Sequence, residues 1–182
     1  LVNTMKAVDT HGMLLLGSVA SQSNSHRLGA NEAPPAIMSV FIGTTLSAML
    51  DSIEERVSDR KMTPGEKTEI KLDIGKIPEI LLDNTDRNRT SPFAFTGNRF
   101  ELRAMGSSGS AAAPLIALNT AVAEQLRDFR IKVEALVEKG VKKDEAIFQV
   151  LRTIIGECKK IRFEGNGYSQ EWKEEAIKRG LP

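Results

Sequence analysis

The sequence is poor in the residues that announce several kinds of chemistry. Its single cysteine, Cys158, rules out a disulfide framework or a cysteine-based zinc site within the chain. A lone thiol fits a reducing compartment, so the setting expected is cytoplasmic. There is no excess of positive charge: 25 Lys and Arg stand against 24 Asp and Glu, a net +1. Without a basic surface the chain carries no electrostatic footprint for nucleic acid. No apolar run approaches the ~20 residues needed to cross a bilayer. The longest candidate, Met13-Leu14-Leu15-Leu16, is far too short, and no signal peptide is visible. Neither nucleic acid nor membrane is therefore expected as a partner. A phosphate-binding P-loop, a G-x-S-x-G elbow and a dinucleotide fingerprint are also missing, as are internal repeats and low-complexity tracts.

What remains has the composition of a globular protein, with 41% hydrophobic and 27% charged residues in 182. The first residue is Leu1 and the apolar pattern is already running at Val2, Met5 and Val8. The last residues, Leu181-Pro182, bring no closing element. The chain therefore reads as an excerpt of a longer protein.

Residues 1–16 have apolar side chains at 1, 5, 8, 15 and 16, the spacing of an amphipathic helix, interrupted at Gly12. Ser18 to Ala33 is polar and rich in small residues and reads as a long loop, a kind of segment that is usually functional. Pro34-Pro35 forces an extended entry into a buried strand over Ile37–Ile42. Thr44 or Thr45 can cap a helix with Leu46, Met49, Leu50, Ile53 and Val57 inward. Thr63-Pro64-Gly65 signals a turn, and Ile70, Leu72 and Ile74 alternate as in a half-buried strand, with Ile77–Leu82 as its partner. After a second polar segment, Asp83 to Ser91, two more strands are expected around Phe93–Phe95 and Arg99–Arg103. From Ala111 the texture turns helical. One helix is predicted over 111–139 with Gly140 at its C-terminal cap, a second is capped by Asp144 and runs to about Ile161, and a short third follows Ser169 and is closed by Gly180. In the two longer helices Leu115, Leu118, Val122, Leu126, Ile147, Val150, Leu151 and Ile154 are the expected packing positions. The fold class is α+β: antiparallel strands with helices over residues 1–124, then a mainly helical region over 125–182.

The densest chemical signal is Arg99-Phe100-Glu101-Leu102-Arg103. Strand alternation puts Arg99, Glu101 and Arg103 on one face and Phe100 and Leu102 on the other. A carboxylate between two guanidinium groups suits a metal cation held beside anionic substrate groups; the same alternation equally describes a solvated edge strand. Arg87 and Arg89 flank Asn88 and could grip phosphate through forked hydrogen bonds, or form a surface turn. In the first polar segment His26, Arg27 and Glu32 are candidates whose plain alternative is a solvated loop. His11, on an apolar helix, fits a structural or exposed role better than ligation.

The order of these elements resembles the glutamine synthetase family. Residues 24–34, Asn-Ser-His-Arg-Leu-Gly-Ala-Asn-Glu-Ala-Pro, are similar to its NSYKRLxxGxEAP segment. Arg87-Asn88-Arg89-Thr90-Ser91 resembles its RNRS element, and Arg99–Arg103 its RIExR strand, followed by small residues and the helix start at Ala113-Pro114-Leu115. The wording around residues 26–37 and 86–103, and the tail from Arg162, are closer still to the type III branch, so the resemblance covers nearly the whole chain. It implies part of the glutamine synthetase catalytic fold in residues 1–124 and the type III C-terminal extension in residues 125–182. It implies ATP-dependent ligation of ammonia to glutamate through γ-glutamyl phosphate, with Mg²⁺ or Mn²⁺, in a large ring-type homo-oligomer. By the same resemblance Glu101 is a metal ligand, and Arg103 and Arg27 bind glutamate or the transferring phosphoryl group. Arg89, with Arg87, binds the nucleotide phosphates. Glu32 takes a proton from ammonium and shields the acyl phosphate from water; Glu32, Arg89 and Arg103 form the catalytic set.

Departures from the common pattern are visible. Arg27 and Glu32 are one residue closer together than in the commoner bacterial type. Ala94 stands where that type has a further phosphate-binding arginine, and Thr96 where it has a lysine; Arg99 is a candidate substitute for one of them. The family's ExE strand, its other metal-ligand glutamates and its HxH-type segment belong upstream and are not among these residues, so the fragment alone is expected to be inactive. Two other readings stay open. One is a glutamate–amine ligase of the same superfamily acting on polyamines, the other a non-catalytic helical assembly protein descended from the ligase.

Overall fold

Three short strands and six helices make up the computed structural model, which describes residues 1–30, 33–55, 90–106 and 109–182. The turn expected at Thr63–Gly65, the strands at Ile70–Ile74 and Ile77–Leu82, Val57, Glu32, Arg87 and Arg89 lie outside the described residues.

The sheet is built on a buried hydrophobic segment. β1 (Val40–Phe41) runs parallel to β2 (Phe93–Phe95), with Val40 opposite Phe93 and Phe41 opposite Ala94. β2 runs antiparallel to β3 (Phe100–Leu102), pairing Phe93 with Leu102, Ala94 with Glu101 and Phe95 with Phe100. Gly97 makes the reversal possible: its φ of 97° lies in the left-handed region that side chains avoid, while the Thr96 amide donates to the Arg99 carbonyl at 2.9 Å. On the far side of β1, the Phe163 amide donates to the Val40 carbonyl. A buried Ser39 hydroxyl donates to that of Ser91 at 2.8 Å, tying the approaches to β1 and β2.

Phe93 is fully buried and stacks on Phe100, ring centroids 4.8 Å apart, and Phe95 tilts against the same ring. The aromatic side of β3 thus faces the interior, as its alternation requires. There it meets a core of Met5, Val8 and Leu15 from helix α1 (Val2–Val19), Leu50 from α3 (Thr44–Glu55) and Val150, Ile154 and Ile155 from α5 (Lys143–Glu157). α1 also lies along α4 (Ala112–Glu138), where His11 of α1 approaches Glu124 at 3.2 Å. A short 3₁₀ turn, Lys159–Ile161, follows α5, and α6 (Gln170–Lys178) completes the set.

Several expected ends are found in place. Gly140 closes α4 with φ 87°, and the Ser169 hydroxyl accepts the Trp172 amide to cap α6. α1 bends at His11 (φ −114°), one residue before the expected interruption. Gly12 has a separate purpose: a Cβ there would come within 2.9 Å of the Pro182 ring, which packs onto the helix while the Pro182 carbonyl accepts the Met38 amide.

Other expectations are corrected. Ser18 to Ala33 is not a loop throughout: α1 continues to Val19, and α2 (Gln22–Arg27) forms a further helical turn because Ser21 caps the Asn24 amide. Asp144 does not cap α5. Lys142 occupies the cap position, and Asp144 sits with Glu145 in the first turn, where negative charge complements the helix dipole. Leu115 and Leu126, expected to pack, are about half exposed on α4, together with Ile116, Ile131 and Val137. Residues 124 and 125, where the catalytic part and the extension are expected to meet, lie inside α4.

Cys158 follows α5 and is buried. Burial, with the Asp9 carboxylate as a further contribution, pushes its thiol up to about 11. The group therefore stays neutral as long as the fold holds, and its contribution to stability is lost as pH rises past the unfolded thiol value towards about 11.

Truncating Phe93→Ala removes the ring on which β3 stacks and should cost about 3–5 kcal/mol in urea unfolding; a loss below about 1 kcal/mol would mean that the aromatic stack is not part of the core. Cys158 should react with iodoacetamide at pH 8 at least about a hundredfold more slowly in the folded chain than in urea, since both thiolate fraction and access fall on folding. Equal rates would show that the end of α5 is not packed as described.

Candidate functional site

β3 presents its charged side as the sequence pattern requires. The Arg103 guanidinium donates through Nε to Glu101 Oε2 at 3.1 Å, and its Nη2 lies 3.1 Å from the same oxygen. Arg99 Nε reaches Glu101 Oε1 at 3.4 Å from the opposite side. Arg103 is largely covered, whereas Arg99 is 71% exposed, so only Arg103 holds its position through packing as well as charge. The Arg103 hydrogen bond and charge hold the Glu101 carboxyl below the usual glutamate range, with a smaller contribution from Arg99. Glu101 remains ionised and partly open to solvent. The backbone around it is fixed by register, because the Arg103 amide donates to the Pro92 carbonyl at 2.7 Å.

Arg27 arrives from α2 at the end of the same strand. The Asn24 carboxamide is buried and donates to the Val19 carbonyl at 2.9 Å and to the Ala104 carbonyl, just beyond Arg103, at 2.6 Å. Its oxygen accepts Arg27 Nε at 3.1 Å. A Cβ on Gly106 would sit 3.4 Å from the same Nε, so the backbone following β3 closes over the pair. Arg27 Nη2 is buried and has no hydrogen-bond partner among the described residues. A buried, unpaired guanidinium N–H is costly unless something anionic joins it.

The described ends of the segment carrying Glu32 are also fixed. The Gly29 amide donates to the Pro34 carbonyl at 2.8 Å, with Gly29 at φ 77°. The Tyr168 hydroxyl donates to the Ala33 carbonyl, so the region before α6 touches this segment. Glu101, Arg103 and the Arg27 segment thus gather at one end of β3. Ala94, where the common pattern has an arginine, is completely buried opposite Glu101. Arg99 faces Glu101 and is free enough to swing outward. Asn24 and Tyr168 were missed by sequence reasoning. Asn24 opens the family-like segment, which could have marked it; nothing in the sequence around Tyr168 points to Ala33.

Among the described residues no group of three His, Cys, Asp or Glu side chains could hold a metal ion. Glu101 fits as one oxygen donor to a hard cation, with further ligands required from elsewhere. A surface cleft of about 460 Å³ between α3 and the segment after α5 is a different kind of place. There Arg162 pairs with Asp51 at 2.7 Å, Lys159 with Asp51 and Glu54, and Arg179 with Glu175. The cleft's charge is spent on binding its own walls together, and the pairing holds the Asp51 carboxyl below its ordinary value against the effect of partial burial. No helix among the described residues is long and apolar enough to cross a membrane.

A family profile described as "Glutamine synthetase C-terminal domain" matches residues 146–182. Over 181 residues, all of this chain, the sequence is 61% identical to a glutamine synthetase from Bacteroides fragilis (strain YCH46), covering 25% of that protein. It is 45% identical over 97% of its length to a type-3 glutamine synthetase from Dictyostelium discoideum, covering 24% of that protein. It is 39% identical over its whole length to a glutamine synthetase from Butyrivibrio fibrisolvens, again covering 25%. The chain spans about a quarter of the length of the curated relatives it matches. The α+β arrangement, the charged face of β3 and the α2 segment beside it thus occur in a chain whose residues 146–182 match the glutamine synthetase C-terminal domain and whose whole length is similar to part of proteins named glutamine synthetase.

Proposed function

We propose that this chain supplies part of the active site of a type III enzyme that ligates ammonia to glutamate, forming glutamine, ADP and phosphate. The observation that carries this reading is the grouping of Glu101, Arg103 and Arg27 at one end of β3, with a buried Arg27 Nη2 that has no partner among the described residues. On this reading residues 1–124 belong to the catalytic domain and 125–182 to the C-terminal extension.

The chemistry proceeds in two transfers. The γ-carboxylate of glutamate attacks the γ-phosphorus of ATP, breaking its bond to the bridging oxygen and releasing ADP. Ammonia then attacks the acyl carbon of γ-glutamyl phosphate; the acyl carbon–oxygen bond breaks, phosphate leaves with its electron pair, and the nitrogen gives up a proton to become the amide. A divalent cation, Mg²⁺ or Mn²⁺, neutralises phosphate charge when bound, and Glu101 would be one of its ligands. Arg103 and Arg27 orient the glutamate carboxylates and the transferring phosphoryl group through forked hydrogen bonds. Arg89 and Arg87 hold the nucleotide phosphates. Glu32 draws in ammonium, accepts its proton and keeps water from the acyl phosphate. Orientation and charge neutralisation are the main demands of phosphoryl transfer, which suits a site rich in arginine.

Leu126, Ile131 and Val137 on the exposed side of α4 support a packing role for the extension between subunits of a ring-type homo-oligomer. Apolar residues left on a helix surface favour burial against another element.

Two experiments on the full-length protein that carries this chain test the reading. Glu101→Gln keeps the shape and removes the charge. Turnover at limiting Mg²⁺ should fall at least about tenfold and recover in part at higher Mg²⁺; unchanged turnover would remove Glu101 from the metal site. Glu32→Ala should lower ammonium-dependent glutamine formation at least about a hundredfold, the scale of a lost general base. Slow, glutamate-dependent ATP hydrolysis should persist because water then meets the acyl phosphate. Glutamine made at the parental rate and ammonium affinity would make Glu32 an ordinary loop residue.

A further inference from the structure

We infer that Asn24 is a positioning residue for Arg27, holding its guanidinium towards a carboxylate of glutamate without neutralising it. The inference rests on the functional reading above and adds a residue to it.

Asn24 does more than satisfy backbone. Its Nδ2 bonds to the Val19 and Ala104 carbonyls use both amide hydrogens. Those contacts bring the end of α1 and the segment after β3 to one point. The remaining polar atom, Oδ1, accepts Arg27 Nε. One edge of the guanidinium is thereby fixed by a neutral partner, and Gly106 covers the same edge. The adjoining nitrogen, Nη2, is buried and unpartnered among the described residues, so its N–H groups are the ones left to meet a ligand. An aspartate at position 24 could accept the same Nε hydrogen, but it would cancel the charge and leave the Val19 and Ala104 carbonyls facing a carboxylate. A neutral carboxamide is the side chain that can donate twice, accept once and leave the full positive charge of Arg27 available.

The position of Asn24 also joins the two halves of the site. Asn24 and Ala104 are 80 residues apart in sequence, yet this single contact sets Arg27 against the backbone that leads out of the Glu101–Arg103 strand. Loss of the carboxamide should therefore be felt by the ligand of Arg27 and much less by a ligand bound elsewhere.

The test is a double-mutant cycle in the full-length protein, with Asn24→Ala, Arg27→Ala and the pair, measuring KM for glutamate, KM for ATP and kcat. Each single variant should raise the glutamate KM about tenfold, the scale of one lost hydrogen bond to a charged group. The ATP KM should stay within about twofold, and the double variant should be no worse than Arg27→Ala alone, since coupled residues are not additive. Asn24→Ser, smaller but still polar, takes the place of Asn24→Ala if that variant does not fold, under the same criteria. Losses that multiply in the double variant would overturn the positioning role, as would glutamate and ATP KM values that rise together. A parental protein with no glutamate-dependent ADP release would instead overturn the functional reading, and this inference with it.

Discussion

A strand buried on both edges leaves its neighbours little freedom, and β2 is in that position. Phe93 and Ala94 are fully buried, so their amides and carbonyls must be paired within the protein. β1 pairs with one edge and β3 with the other. Once Ala94 is opposite Glu101, the pleat decides that Phe100 and Leu102 point to the core and Glu101 points away. A slip of one residue would put a carboxylate against Phe93 and a phenyl ring in solvent. The hydrophobic demand of the aromatic stack thus sets the orientation of the charged face, although no charged residue takes part in it.

The electrostatics of that face follow a division of labour between packing and charge. Arg103 is held by its surroundings and by Glu101 together, whereas Arg99, largely exposed, meets only Glu101 among the described residues. Arg27 is held by a neutral amide. Elsewhere the arginines are spent differently. Arg162 and Arg179 close their pairs with Asp51 and Glu175 and also donate to backbone carbonyls, cementing the segment after α5 to α3 and α6. Arg162 and Arg179 thus weld structure, whereas Arg27 keeps a buried nitrogen, Nη2, with no partner among the described residues.

Much of this was legible in the sequence, and the failures have physical causes. Ser169 and Gly140 were readable because caps act through local geometry. The alternation around Glu101 was readable because strand periodicity is local too. The helical turn in residues 22–27 was hidden because its composition is that of a loop; Ser21 starts it, and the buried Asn24 is satisfied by Ala104, which no local pattern can foresee. Leu115 and Leu126 looked like core, yet α1 and α5 cover only one side of α4, and apolar spacing does not say which side. For the candidate site, the motifs named Arg27, Glu101 and Arg103, but only the fold could bring them to the same end of one strand.

The contact between Tyr168 and Ala33 has a consequence for the order in which the protein takes shape. The partners are separated by 135 residues, and closing so long a loop carries an entropic cost that must be met before the contact stabilises anything. During synthesis, which proceeds from the N-terminus, the Ala33 carbonyl has to wait until residue 168 has left the ribosome. Until then Gly29 and Pro34 can close their own short turn, but the segment has no anchor to the region before α6. The final seating of that segment is therefore a late event in biosynthesis, timed by a tyrosine far downstream of the residues it steadies.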